Sequence, residues 1–224
     1  MNKGMKYAII GMLLVLIIGL IVAVRTVDVA PIGPAETSIG LSHLNGAVAN
    51  AIGFHESWYR ITEALGILAI LIAAGFGVLG VLQWIRRKSL GRVDQKLFFL
   101  AGLYAATVLL YVLFEKVIIN YRPVLMPGET DVEASFPSSH TMLAIVVLGS
   151  TILLLPDYVK NKTVCTVAKI VCGVALIASV IGRLLSGAHW LTDIMGGVLI
   201  GAALLALFRL LTESIETPAS QKGK

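Results

Sequence analysis

Six apolar runs constrain what this chain can fold into: Tyr7–Val24, Glu63–Trp84, Leu97–Phe114, Thr141–Leu155, Val164–Gly182 and Leu191–Leu211. An α-helix of about 20 apolar residues crosses the roughly 30 Å hydrocarbon core of a bilayer, and all but the fourth run approach or exceed that length. A soluble domain of 224 residues has no use for 57% hydrophobic and only 14% charged residues, or for a mean hydropathy of +0.89. A bilayer accepts that surplus apolar surface. No run has a proline in its interior, which predicts uninterrupted helices. The expected fold is therefore all-α: one polytopic domain over residues 1–211 with six transmembrane helices, followed by a flexible cytoplasmic tail over 212–224. The first run follows Lys3 and Lys6 as a signal sequence does. It is longer than a signal core and lacks a small-residue cleavage site, so an uncleaved first helix is expected.

The net charge of +5 does not mark a nucleic-acid surface, because the basic residues sit in short loops between apolar runs. With the N-terminus inside, 13 of the 18 Lys and Arg fall on the cytoplasmic side, including Arg86, Arg87, Lys88, Arg92 and Lys96. The other side receives Arg25, Arg60, Lys116, Arg122 and Arg183. This bias predicts both termini in the cytoplasm of a multi-pass cell-membrane protein. In the long outer segment 25–62, Leu41, Leu44, Val48 and Ile52 recur at helical spacing, with Ser42, His43, Asn45 and Asn50 on other faces. That pattern predicts an amphipathic helix on the outer membrane surface, a structural cover rather than a lid. His43 and His55 in the same segment have no metal-site spacing. Cys165 and Cys172 are seven apart in one run, about 10 Å along a helix, too far for a disulfide.

Three segments carry residue types that membrane borders do not need: Lys116…Arg122-Pro123, Pro137-Ser138-Ser139-His140, and Gly182-Arg183…His189…Asp193. The charge bias places all three on the outer side. Lys116, Arg122 and Arg183 at a bilayer edge are costly unless solvated or paired, and an anion is a natural partner. Arg offers phosphate a planar fork and Lys a mobile point charge. Ser138 and Ser139 precede the fourth run, where they can cap a helix whose free N–H groups hold an anion. His189 and Asp193, four apart, share a face if helical, so the carboxylate can fix the imidazole tautomer and leave the other nitrogen nucleophilic. His140 comes from another helix and can serve as general acid for a leaving oxygen. Such a set suffices for phosphoryl transfer through a phosphohistidine without a metal or cofactor. Singly, each feature is ordinary: a terminal Arg snorkels, a Ser pair caps, a His–Asp pair is structural. Their joint occurrence on one side is the signal.

These segments resemble the signature of the type 2 phosphatidic acid phosphatase superfamily: Lys…Arg-Pro, Pro-Ser-x-His and Ser-Arg…His…Asp. The resemblance covers Lys116–Asp193, and six spans with an outward site also fit the bacterial membrane members. Two departures stand out. Five residues separate Lys116 from Arg122 where the pattern has six, and Gly182 replaces the pattern's Ser. The resemblance implies His189 as nucleophile, Asp193 as its orienting partner and His140 as acid then base. It implies phosphate binding by Lys116, Arg122, Ser138, Ser139 and Arg183. The expected substrate is a lipid phosphate or pyrophosphate, such as undecaprenyl pyrophosphate or phosphatidylglycerophosphate, cleaved at the outer membrane face. The partners expected are that lipid and the bilayer, with no nucleic acid and no obligate protein partner. A non-catalytic lipid-phosphate carrier or flippase is the alternative, against which the His140–His189–Asp193 set argues. The acidic stretch Glu129, Asp131, Glu133 is expected to be a solvated loop, and the Asn161-Lys162-Thr163 sequon lies on the cytoplasmic side.

Overall fold

The computed structural model describes residues 3–126 and 128–216 and turns each apolar run into one long helix. The order is α1 (Lys3–Thr26), a surface helix α2 (Ser42–Ile52), α3 (Glu56–Arg87), α4 (Gln95–Lys116), α5 (Ser139–Tyr158), α6 (Lys162–Leu185) and α7 (Leu191–Glu216). All but α2 are long and apolar enough to cross a membrane. Each of these six outruns its apolar run at one or both ends, because helical hydrogen bonding continues into polar residues once the chain reaches the interface. Side-chain caps set two of the starts: Asp94 accepts from the N–H of Lys96 at 3.0 Å, and Asn161 from that of Val164 at 3.1 Å. Helix α5 extends unbroken past its run to include Pro156, close to its end. One expectation changes. Residues 212–216 of the expected tail are the last turn of α7, and the rest of that tail lies outside the described residues.

Helix α5 is the centre of the bundle, burying eleven of its 20 residues, whereas α1 buries only Leu20 and Val24. This explains why α5 came from the shortest run. A helix wrapped by protein tolerates Thr141, Gly149, Ser150 and Thr151, while one facing lipid must be apolar all round. The Ser150 and Thr151 hydroxyls donate to their own helix at Val147 O (3.1 and 2.6 Å). Small residues let α7 close onto α5: a Cβ at Gly197 would meet the Thr141 side chain, and one at Gly201 that of Ile145.

Consecutive long helices run antiparallel, so one end of the bundle collects the starts of α3, α5 and α7 and the ends of α1, α4 and α6. The opposite end is tied by a Lys6–Glu213 ion pair, by Lys96 to Asp157 at 2.8 Å, and by Tyr158 donating to Asp94 at 2.8 Å. Helix α2 forms as the spacing predicts but is held by its polar side. Asn45 is fully buried, donating to Gly40 O (2.9 Å) and accepting from the Thr192 N–H (3.2 Å), while Leu44 is exposed. Asn45 thus caps the N-terminus of α7 from another helix, so α2 is fastened by a hydrogen-bonded latch rather than by its apolar stripe alone. Cys165 and Cys172 are both buried and unpaired.

Candidate active site

The i,i+4 spacing of His189 and Asp193 predicts one helix carrying both, but α7 starts at Leu191, which leaves His189 in the turn before it. Asp193 reaches back to accept from the Trp190 N–H (2.9 Å), the side-chain half of a capping box. The same Oδ2 accepts from Ser135 Oγ at 2.5 Å and lies 3.7 Å from His189 Nδ1, beyond hydrogen-bonding reach. Ser135 bridges that gap, its Oγ standing 3.0 Å from His189 Nδ1. Because the Ser135 proton is committed to the carboxylate, its oxygen accepts from His189, which fixes the proton on Nδ1 and a lone pair on Nε2. Asn120 Nδ2 donates to the second carboxylate oxygen at 2.8 Å. Asp193 is fully buried, so these donors are what make its charge tolerable there.

Ser135 and Asn120 come from the segment after α4, which folds back on itself. Ser135 N donates to Asn120 O (3.1 Å), Arg122 N to Glu133 O (3.1 Å), and Ser138 N to Asp193 O (3.0 Å). The turn 186–190 is pinned from the other side by His55 N donating to Ser186 O at 3.0 Å. Gly187 has φ +64, and a Cβ there would collide with the Gly53 carbonyl. Only glycine satisfies both demands.

Arg183, at the end of α6, is fully buried. Its Nη1 donates to Thr62 Oγ1 (2.9 Å), and its Nη2 to Glu63 Oε1 (3.0 Å) and to His140 Nδ1 (2.9 Å). The guanidinium stands over the Tyr59 ring, 4.7 Å from its centroid. An arginine can only donate, so His140 Nδ1 is the acceptor and its Nε2 carries the proton, 3.1 Å from Glu63 Oε1. His189 and Arg122 lie within electrostatic reach of this imidazole.

The structure thus brings His140, Arg183, His189 and Asp193 to one end of the bundle, and Arg122, Ser135, Ser139 and His189 line one cleft there. Arg122 is ion-paired to Glu133 at 2.8 Å, so that member of the acidic stretch neighbours the site while its side chain stays 41% exposed to solvent. Ser138 occupies the N-cap position of α5, but its side chain makes no capping bond. Six buried side-chain atoms have no hydrogen-bond partner among the described residues: Asn120 Oδ1, Arg122 Nε, Ser138 Oγ, Thr141 Oγ1, Arg183 Nε and His189 Nε2. One expected residue is not brought in. Lys116 is exposed in the last turn of α4, and Glu115 lines the cleft in its place. A helix turns about 100° per residue, so the one-residue shift in spacing to Arg122 moves the lysine off the inward face.

Burial pushes the His189 imidazole down to about 4, against a smaller opposing pull from Asp193. At neutral pH it is uncharged, with Nε2 free to attack an electrophile. No three His, Cys, Asp or Glu side chains gather into a metal-binding group among the described residues.

The family model of the PAP2 superfamily matches residues 96–215. The chain belongs to the PAP2 superfamily. The fold is also that of the crystal structure of a transmembrane PAP2-type phosphatidylglycerolphosphate phosphatase from Bacillus subtilis. The TM-score is 0.68 at 20% identity, over 93% of this chain and 98% of that one. No curated protein matches the sequence. This PAP2 protein is a multi-pass membrane protein and a phosphoric-ester hydrolase of the lipid-phosphatase kind.

The matched region begins after α3, and α3 supplies what the motifs did not foretell: Tyr59, Thr62 and Glu63 around Arg183. Glu63 had a signal of its own, an acid at the first position of an apolar run, where an ionisable group marks a site by default. Ser135, Asn120 and Asn45 had none, since a serine or asparagine in a loop is unremarkable until its partner is known.

Proposed function

We propose that this PAP2 protein cleaves a lipid phosphate or pyrophosphate at the outer membrane face through a phosphohistidine on His189. The observation that carries the reading is the pairing of a buried, unpartnered His189 Nε2 with an Nδ1–H held through Ser135 to Asp193. A histidine kept neutral, oriented on one nitrogen and bare on the other is arranged for attack, not for packing. Nε2 forms a bond to phosphorus while the bond from phosphorus to the leaving oxygen breaks. His140 gives that oxygen a proton as the alcohol or lipid monophosphate departs. The same nitrogen of His140 then takes a proton from water, whose oxygen attacks phosphorus, breaks the N–P bond and releases inorganic phosphate. Arg183 and Arg122, with the Ser138 and Ser139 hydroxyls, hold the equatorial oxygens on which charge accumulates.

The concentration of Lys and Arg at the opposite end supports the outward orientation. Phosphatidylglycerophosphate is the substrate that the similar Bacillus subtilis fold favours, with undecaprenyl pyrophosphate the other candidate of the same chemistry. The test is His189→Ala in purified protein. Phosphate release is lost at normal protein level, and brief incubation of wild type with labelled lipid phosphate leaves acid-labile label on His189. Full activity in the variant, or label absent from a fast-quenched wild type, overturns the mechanism.

A further inference from the structure

Helix α3 turns one stripe toward the site: Tyr59, Thr62, Glu63 and Gly66, at the i, i+3, i+4, i+7 spacing of a single helical face. The first three hold Arg183. The last two hold His140, because a Cβ at Gly66 would lie 2.8 Å from His140 Cδ2. Gly182 lets α3 come this close to α6, since a Cβ there would meet the Thr62 methyl at 2.9 Å. Where the superfamily pattern has a serine beside the arginine, this chain has space filled by Thr62, whose hydroxyl bonds to Arg183 instead.

We propose that Glu63 is the positioning residue that makes His140 the general acid. Like the catalytic mechanism above, it rests on the phosphohistidine reading. Among the described residues, the charged or titratable groups that act most strongly on His140 are Glu63 on α3, Arg183 on α6, His189 before α7 and Arg122 after α4. Of these four, Glu63 is the anion. Its carboxylate stands 3.1 Å from Nε2 and favours the proton there, so the proton delivered to a leaving oxygen leaves from Nδ1, the nitrogen that Arg183 Nη2 occupies without substrate. When phosphate arrives, that Nη2–H turns to a phosphate oxygen. Nδ1 then acquires a proton from solvent and presents it beside the bond that breaks. Each histidine is thus oriented by a carboxylate on one ring nitrogen: His189 by Asp193 through Ser135, and His140 by Glu63 directly.

The test compares Glu63→Gln with wild type, as full chain in detergent micelles, on dodecyl phosphate and 4-nitrophenyl phosphate. The value of kcat/KM covers phosphoryl transfer to His189 but not the later hydrolysis. An alkoxide needs a proton to leave and 4-nitrophenolate does not. A displaced acid therefore lowers kcat/KM on the alkyl ester about 10- to 100-fold more than on the aryl ester, because weakening of the hold on Arg183 falls on both alike. Gly66→Ala crowds His140 without touching Arg183, and gives the same asymmetry should Glu63→Gln fail to fold. Thr62→Val weakens the hold on Arg183, raises KM for both esters alike, and is rescued by Thr62→Ser. Equal losses on the two esters in both Glu63→Gln and Gly66→Ala, or no loss, overturn the assignment while the wild-type activity stands. A wild type that releases phosphate from neither ester overturns the phosphatase mechanism and this assignment together.

Discussion

Ser135→Ala removes one oxygen and tests whether Asp193 acts on His189 directly or through a hydroxyl. In the native site the carboxylate accepts from Asn120 (2.8 Å), Trp190 N (2.9 Å) and Ser135 (2.5 Å), and the imidazole stands 3.7 Å away. Deleting the serine takes a charge-assisted hydrogen bond from a fully buried acid and the acceptor from His189 Nδ1. A hydrogen bond to a charged group is worth about 1.5–3 kcal/mol. The bond grows stronger as His189 gains positive charge on bonding phosphorus, so that energy falls on the transition state. At 1.36 kcal/mol per decade the expected fall in kcat/KM is about 10- to 150-fold. The assay is phosphate release in micelles at substrate concentrations well below KM, with thermal unfolding of each variant as the control for folding. In an Asp193→Asn background the same substitution costs little more, because the two residues act as one chain of bonds. A fall of less than twofold, or losses that simply add, refutes the bridge and means the imidazole closes onto the carboxylate by itself.

Three further outcomes follow from the same geometry. His189 is held neutral with its value lowered to about 4, so on 4-nitrophenyl phosphate, whose leaving group needs no proton, protonation of the nucleophile lowers kcat/KM only as pH drops through about 4. The unfolded chain protonates this imidazole near its ordinary 6.5, so its neutral burial supports stability fully above that pH and loses it between 6.5 and about 4. The difference in unfolding midpoint between wild type and His189→Gln across that window measures the effect. Asn45→Ala strips the cap from α7 and leaves the Gly40 carbonyl without its donor, costing about 1–2 kcal/mol, a few degrees in a thermal-shift measurement. Activity in EDTA equals that in buffer, since two imidazoles and two guanidinium groups supply the nucleophile, the proton and the countercharge; loss in chelator restored by a divalent ion sinks that mechanism.

The sequence was legible wherever function imposes a residue type that the membrane penalises. His140, Arg183, His189 and Asp193 stand out because nothing in a bilayer asks for them at those borders, and antiparallel helices of bilayer length bring them to one end without any knowledge of packing. What stayed hidden depends on partners. Ser135 matters because Asp193 lies 3.7 Å from His189 rather than 2.8 Å, a fact of how the turn before α7 is pinned by Gly187, Ser186 and Asn45. Lys116 shows the converse, a residue of the right type turned away by one helical position while Glu115 faces the cleft.

Glu63 and Glu133 show why an inventory of cations alone misjudges such a site. A guanidinium as buried as Arg183 cannot be left without a countercharge, because the uncompensated cation would cost several kcal/mol. The fold therefore supplies a carboxylate to each arginine, Glu63 to Arg183 and Glu133 to Arg122. On the proposed mechanism a phosphate group would bind by exchange, taking the guanidinium hydrogen bonds that Arg183 makes to Glu63 and His140 and replacing the ion pair of Arg122 with Glu133. Such an exchange would keep the site stable without substrate and limit the affinity for released phosphate, as turnover requires. In the sequence these acids read as a helix border and a polar loop, and only their distances from the two arginines give them a place in the reaction.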